Sequence, residues 1–298
     1  MKTLVIGGGG MLGHKMFQTL RKRFGDDTWC TLRGTATPSS LGIPTGADDR
    51  VIRADVMDLD ALEAQIAEHR FDVVVNCVGV IKQRSDAKVA IPSIAINALL
   101  PHRLAACVEP WGGRVVHFST DCVFSGKRGD YSEDDLSDAE DLYGKSKFLG
   151  EVATENALTL RTSIIGRELT HHKSLLDWFL AQEGTTIRGF TRAWWSGVTT
   201  NHLADLVADL VERHPALHGM YQVSGGKISK YDLLLKMREA YGLDVEILPD
   251  DAFFCDRSLR GDRLREAIGY TAPSYDEQIA QLVADPTSYP SRSTKQAV

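Results

Sequence analysis

A short apolar run, Leu4-Val5-Ile6, breaks directly into Gly7-Gly8-Gly9-Gly10 and then into residues 11–24, where apolar side chains recur at helical spacing. A strand that turns through glycine into a helix leaves the chain few choices. It can bury both faces of the strand only by joining a parallel sheet flanked by helices, with right-handed crossovers between successive strands. The first half of the chain repeats the theme. Apolar, β-branched runs at 28–32, 51–54, 73–77 and 115–118 alternate with helix-period segments at 59–69 and 94–108, the last expected to bend near Pro101.

The fold class is therefore α/β, a Rossmann-type doubly wound parallel sheet. Residues 34–50, rich in Gly, Pro, Ser, Thr and Asp, read as a surface loop and not a linker, because the strand pattern resumes directly after them. Beyond a strand at 159–161 the pattern is less regular, with helices expected at 175–181, 203–211 and 231–241 and one more strand at 220–223 that returns to the sheet. The expected organisation is a dinucleotide-binding domain over 1–165, rejoined by about 195–225, and a smaller interleaved C-terminal substrate domain over 166–194 and 226–284. A tail over 285–298, rich in Pro, Ser, Thr and Lys, is expected to be mobile.

With 34 Lys and Arg against 40 Asp and Glu, the formal net charge is −6, which argues against a broad face for nucleic acid or for a membrane. An anionic substrate would need a local basic pocket. The five cysteines lack metal-ligand spacing and read as reduced, mostly buried thiols. The opening apolar run is too short for a signal peptide and no stretch of 18 or more apolar residues follows, so the expected location is cytoplasmic.

At the first strand-to-helix junction Gly7, Gly10 and Gly13, with Met11 and Leu12 between them, would let a diphosphate rest on backbone N–H groups at the positive end of the helix. Where NAD-selective sites commonly place a carboxylate on the adenosine ribose, this chain has Arg33, a partner for a 2′-phosphate. NADP(H) is thus preferred, with NAD(H) possible. Asp55 and Val56 follow the third strand, where a carboxylate can accept from the adenine amino group, and Cys77, Val78 and Gly79 close the fourth strand beside the cofactor.

Ser119-Thr120-Asp121 ends the fifth strand at the carboxyl edge of the sheet, where such folds bind ligands. Tyr143 and Lys147 stand at i, i+4 on one face of a helix, so the ammonium could favour the phenolate and make the phenol a usable acid. Thr120 could polarise a carbonyl while Tyr143 gives the proton and a nicotinamide gives hydride. Singly these residues read as a turn cap, a helix-face aromatic and a solvated charge.

Together, Ser119-Thr120-Asp121-Cys122-Val123-Phe124-Ser125-Gly126 and Tyr143-Gly144-Lys145-Ser146-Lys147, with Gly150-Glu151, make the chain resemble the extended short-chain dehydrogenase/reductase superfamily, in its dTDP-4-dehydrorhamnose reductase branch. The resemblance implies that Thr120, Tyr143 and Lys147 are catalytic, that Asn97 orders a relay water near Lys147, and that the substrate is a nucleotide-linked keto sugar. Related dehydratases resemble Thr-Asp-Glu where this chain reads Thr120-Asp121-Cys122, so elimination of water is not expected. A 4-epimerase, and a non-catalytic NADP-binding regulatory subunit of the kind that resembles this branch and serves methionine adenosyltransferase, stay open. Asp121, Trp195, Thr199 and Arg257 are the substrate-binding candidates, Trp195 for stacking or for packing and Arg257 for phosphate. No metal site is expected, and a homodimer is possible.

Overall fold

The structure, a computed structural model, describes residues 1–39, 49–80, 89–170 and 172–289. Strands β1 (Thr3–Ile6), β2 (Thr28–Leu32), β3 (Val51–Arg53), β4 (Val73–Asn76), β5 (Arg114–Thr120) and β6 (Ala157–Thr162) alternate with helices α1 (Met11–Phe24), α2 (Leu59–His69), α3 (Ala90–Ser93), α4 (Leu100–Val108) and α5 (Leu142–Leu149). There follow β7 (Ile164–Ile165), α6 (Leu175–Leu180), β8 (Thr186–Phe190), β9 (Ala193–Trp195), β10 (Val198–Thr199), α7 (Thr200–Arg213), β11 (Gly219–Gln222), β12 (Ile228–Ser229), α8 (Lys230–Tyr241), β13 (Glu246–Asp250), β14 (Cys255–Asp256), α9 (Asp262–Ile268) and α10 (Tyr275–Val283). Seven of the strands form one sheet in the order β11-β6-β5-β4-β1-β2-β3, and every pairing in it is parallel.

The two faces of this sheet follow from the alternation of side chains along each strand. Val5, Val73 and Val75 point to the side covered by α1 and α7, where Phe17, Leu20, Leu203 and Val207 are fully buried. Leu4, Ile6 and Val74 point to the other side, against Leu62 and Ile66 of α2 and Leu104 and Val108 of α4. Strands buried on both faces need apolar residues at nearly every position, which is why their sequences show runs rather than alternation. A third core, around Phe179, Trp195, Leu233, Met237 and Ile279, belongs to the smaller C-terminal lobe. That lobe carries β8 paired with β13 and a three-stranded sheet of β12, β9 and β14, none of which the sequence reading anticipated.

Two expectations need correction. The helix expected over 94–108 begins at Ala90, and its irregularity is a π-helical stretch over Ile94–Leu99. Pro101 follows directly in α4, inside a continuous helix, where the wider π-helical register before it accommodates the missing N–H. Among the described residues Ala90–Trp111 is the one helix long and apolar enough to cross a bilayer, with 50% of its apolar window buried in the fold. The tail expected to be mobile from 285 onward is docked over its first five residues. Asp285 is paired with Lys15 at 2.7 Å with only 1% of its side chain exposed, and Tyr289 stacks edge-on against His14 of α1. The remainder of that tail, 290–298, and residues 40–48 of the surface loop lie outside the described residues.

Candidate active site

A cleft of about 470 Å³ opens at the carboxyl ends of β1, β2 and β4. Gly7, Gly10 and Met11 form its floor, Arg33, Asp55 and Val56 one wall, and Cys77, Val78 and Gly79 the other. The floor depends on absent side chains: a Cβ on Gly13 would lie 1.9 Å from the Gly7 carbonyl oxygen, so only glycine lets α1 sit this close to the turn. Gly10 caps α1 without any side-chain hydrogen bond, which leaves the first-turn N–H groups facing the cleft as donors for an anion. Thr31 fixes the turn by accepting from the Gly7 N–H at 2.8 Å. Leu12 differs from its neighbours, since its side chain is buried in the core and it does not line the cleft. The Asp55 carboxylate accepts from the Met57 N–H at 3.0 Å and so also holds its own turn. These features fit a dinucleotide: donors at a helix start, a floor without side chains, and an exposed guanidinium at the end of β2.

Thr120 ends β5, and its hydroxyl accepts from the Cys122 N–H at 3.2 Å while lying 3.1 Å from an Asp121 carboxylate oxygen. Tyr143 reaches it from α5. That helix is started by Asp141, whose carboxylate accepts from the Gly144 N–H at 2.7 Å. It can approach the Thr120 turn because a Cβ on Gly144 would meet the Cys122 carbonyl oxygen at 2.3 Å. The Tyr143 phenol is hydrogen-bonded to Thr120. Burial pushes the phenol well above its usual range, with Cys122 and Asp121 adding to the effect and Thr120 opposing it. Burial likewise raises the Asp121 carboxyl, against the pull of the Arg257 guanidinium and the hydrogen bonds from Thr120 and Cys122.

Lys147 turns its ammonium to β5. Its ammonium nitrogen donates to the Phe118 carbonyl oxygen at 2.5 Å and lies 3.4 Å from His117 Nε2, and burial lowers it to about 8. Desolvation therefore dominates both groups here, and the phenol is held in its neutral form. Asn97 is completely buried, with its amide oxygen accepting from the Val80 N–H at 2.9 Å and its amide nitrogen donating to the Val80 carbonyl at 3.0 Å and to Ser146 Oγ at 3.2 Å. Its side chain thus ties the cleft wall to α5.

Two substrate candidates are not at the site. Trp195 is 7% exposed and packs at 5.5 Å against the Tyr275 ring in the C-terminal core. Thr199 caps α7 by accepting from the His202 N–H at 3.3 Å and is buried. Arg257 does lie beside Asp121, with its guanidinium donating to the Phe124 and Ser125 carbonyls. Several residues escaped sequence reasoning. Glu168, Leu169 and Thr170 line the cleft from the start of the C-terminal lobe. Glu151 binds Ser119 at 2.6 Å and forms a bidentate pair with the buried Arg161, bracing the ends of β5 and β6. The sequence offered Gly150-Glu151 as part of a motif, but the partners of Glu151 lie on β5 and β6.

A family model described as the RmlD substrate binding domain matches residues 1–284. A probable dTDP-4,6-dihydroxy-2-methyloxan-3-one 4-ketoreductase from Streptomyces antibioticus is 30% identical over 243 residues, 78% of this chain and 75% of that protein. Methionine adenosyltransferase 2 subunit beta from Xenopus tropicalis is 25% identical over 265 residues, 81% of this chain and 72% of that one. Among solved structures, a dTDP-4-dehydrorhamnose reductase from Bacillus anthracis in complex with NADP is similar with a TM-score of 0.77 at 20% identity, covering 95% of this chain and 98% of that chain. At such identity the structural likeness speaks for the fold. The family match takes in the glycine cradle, the Thr120 turn, α5 and both lobes, and the chain belongs to the RmlD substrate binding domain family.

Proposed function

We propose that this chain is an NADP(H)-preferring reductase of a nucleotide-linked keto sugar. The observation that carries the reading is the hydrogen-bonded Thr120 and Tyr143 hydroxyl pair at the carboxyl end of β5, in the same sheet whose neighbouring strand ends form a cradle suited to a dinucleotide diphosphate. The Streptomyces relative named as a 4-ketoreductase supports a keto sugar. Bound in the cleft, the cofactor would supply hydride. Gly7, Gly10, Met11, Leu12 and Gly13 hold its diphosphate, Arg33 its 2′-phosphate, Asp55 and Val56 its adenine, and Cys77, Val78 and Gly79 flank it. The Thr120 hydroxyl orients the substrate oxygen, and the neutral Tyr143 phenol donates its proton to that oxygen as general acid. Lys147 and Asn97 hold the cleft wall and α5 in register, and Asp121 and Arg257 take the sugar-nucleotide side.

In this assignment residues 1–165 with about 195–225 form the cofactor lobe, and 166–194 with 226–284 the substrate lobe. An apolar strip on α3, the π-helical stretch and α5, with Ile91 74% and Leu149 62% exposed, favours a homodimer. The test is oxidation of NADPH and of NADH against a panel of nucleotide 4-keto sugars. Substrate-dependent oxidation, faster with NADPH, is expected; no oxidation with any sugar would contradict the reading. The similarity to a methionine adenosyltransferase subunit favours one other outcome, NADP binding without turnover and co-purification with an enzyme partner.

A further inference from the structure

Asn76 ends β4 directly opposite His117 on β5, and both side chains are buried. The Asn76 amide oxygen accepts from the Val78 N–H at 3.2 Å, which turns its NH₂ group toward His117 Nδ1 at 3.1 Å. A neutral imidazole has one ring proton. With Nδ1 accepting, that proton sits on Nε2, and Nε2 lies 3.4 Å from Lys147 Nζ. An ammonium has three donors and no acceptor, so it cannot complement an N–H, whereas the lone pair of a neutral amine can. We propose that His117 is a positioning residue for Lys147: held by Asn76 in its Nε2-protonated tautomer, it presents an N–H to the lysine nitrogen and makes Lys147 an amine that exchanges its proton.

The other neighbours of this amine are compatible with the role. The Phe118 carbonyl accepts from Nζ in either protonation state. Glu151 favours the ammonium, but its carboxylate is shared between Ser119 and the Arg161 guanidinium. Burial, joined by Lys147 and His102, keeps His117 uncharged, well below the usual histidine range. The ring therefore stays neutral over the physiological range and its N–H is a fixed feature of the site. Tyr143 stands one helical turn before Lys147 on the same face. A lysine able to hold either state there can return a proton toward the phenol and take another from water. This use of the amine rests on the assignment of Lys147 to the site; the tautomer and the titration do not.

The experiment needs no substrate. Nitrogen-15 spectra of selectively labelled histidine should show His117 as the neutral Nε2–H tautomer from pH 5 to 9. In lysine-labelled protein, the signal lost in Lys147→Met should titrate with a midpoint near 8. His117→Gln, whose amide oxygen can turn to the ammonium, should raise that midpoint by about one pH unit or more. A merely structural histidine would leave the midpoint in place. An Nδ1–H tautomer or an imidazolium in the wild type overturns the proposal, as does an unchanged midpoint in a His117→Gln protein with wild-type melting. If that variant does not fold, the wild-type tautomer decides. Because the spectra are independent of turnover, failure of the reductase reading and failure of this proposal are separate results.

Discussion

At Gly13 the difference between a workable turn and a collision is one methyl group. A side chain there would press on the Gly7 carbonyl, backbone against backbone, with nothing flexible to give way. We predict that Gly13→Ala costs about 1–3 kcal/mol in urea unfolding, the scale of an overpacked core, and weakens NADPH binding in a fluorescence titration. An alanine variant with unchanged stability and affinity would contradict the close-approach account. Residues of this sort were legible in the sequence because their meaning is local: Gly7, Gly10 and Gly13 act on one turn. Trp195 and Thr199 were not legible. Whether an indole faces a ligand or a tyrosine ring is settled by which distant segment packs on it, here α10 with Tyr275. The same limit applies to Lys147, which burial lowers and whose nitrogen lies against His117 on β5, contacts that no local spacing shows.

At the scale of elements, α1 is held from both ends of the chain. Its N-terminus makes the cradle, and its side bears the strap that follows α10. There Lys15 donates to Asp285 and Thr287 while the Tyr289 hydroxyl lies 3.0 Å from His14 Nε2. Both charges of the Lys15–Asp285 pair are almost fully removed from water, so losing one partner strands the other. Asp285→Ala should therefore destabilise the protein by about 3–5 kcal/mol in denaturant unfolding, far more than an exposed pair would. A loss under about 1 kcal/mol would show the strap to be loosely attached. The composition of 285–298 pointed to mobility and could not show this docking, because a Pro, Ser and Thr-rich segment acquires order only from the surface it meets. The π-helical stretch was hidden for a related reason. Pro101 marked an irregularity, but the π-helical register lies before it, in a stretch whose Asn97 bonds Val80 and Ser146 from distant segments.

For the whole molecule, the burial that shapes the site also sets the response to acid. His14 is completely buried and burial lowers it to about 4, partly offset by the Gly10 carbonyl that accepts from its ring. The unfolded chain takes up this proton near pH 6.5, where the folded protein does not, so stability is full above pH 6.5 and falls as the pH drops through 4. His117 acts in the same sense. Against the burial that raises it, Lys15 and Thr287 hold Asp285 at about 2, which adds a loss only below the ordinary aspartate value of 3.8. Between pH 7 and pH 4.5, His14→Gln should lose less stability than wild type by about 2–3 kcal/mol; equal losses would mean His14 titrates normally. The parallel sheet was legible as a whole because strands buried on both faces write themselves as apolar runs, whereas the small sheets of the C-terminal lobe, made of two to five residues per strand, leave no period to read. The cleft, too, draws on distant parts of the chain, since it takes its floor from the β1–α1 turn and Glu168, Leu169 and Thr170 from beyond β7. The most direct test is Tyr143→Phe: NADPH-dependent reduction of a nucleotide keto sugar should fall by about 10²-fold or more while NADPH affinity stays within a factor of about two. Turnover equal to wild type in the phenylalanine protein would contradict the assignment of Tyr143 as the proton donor.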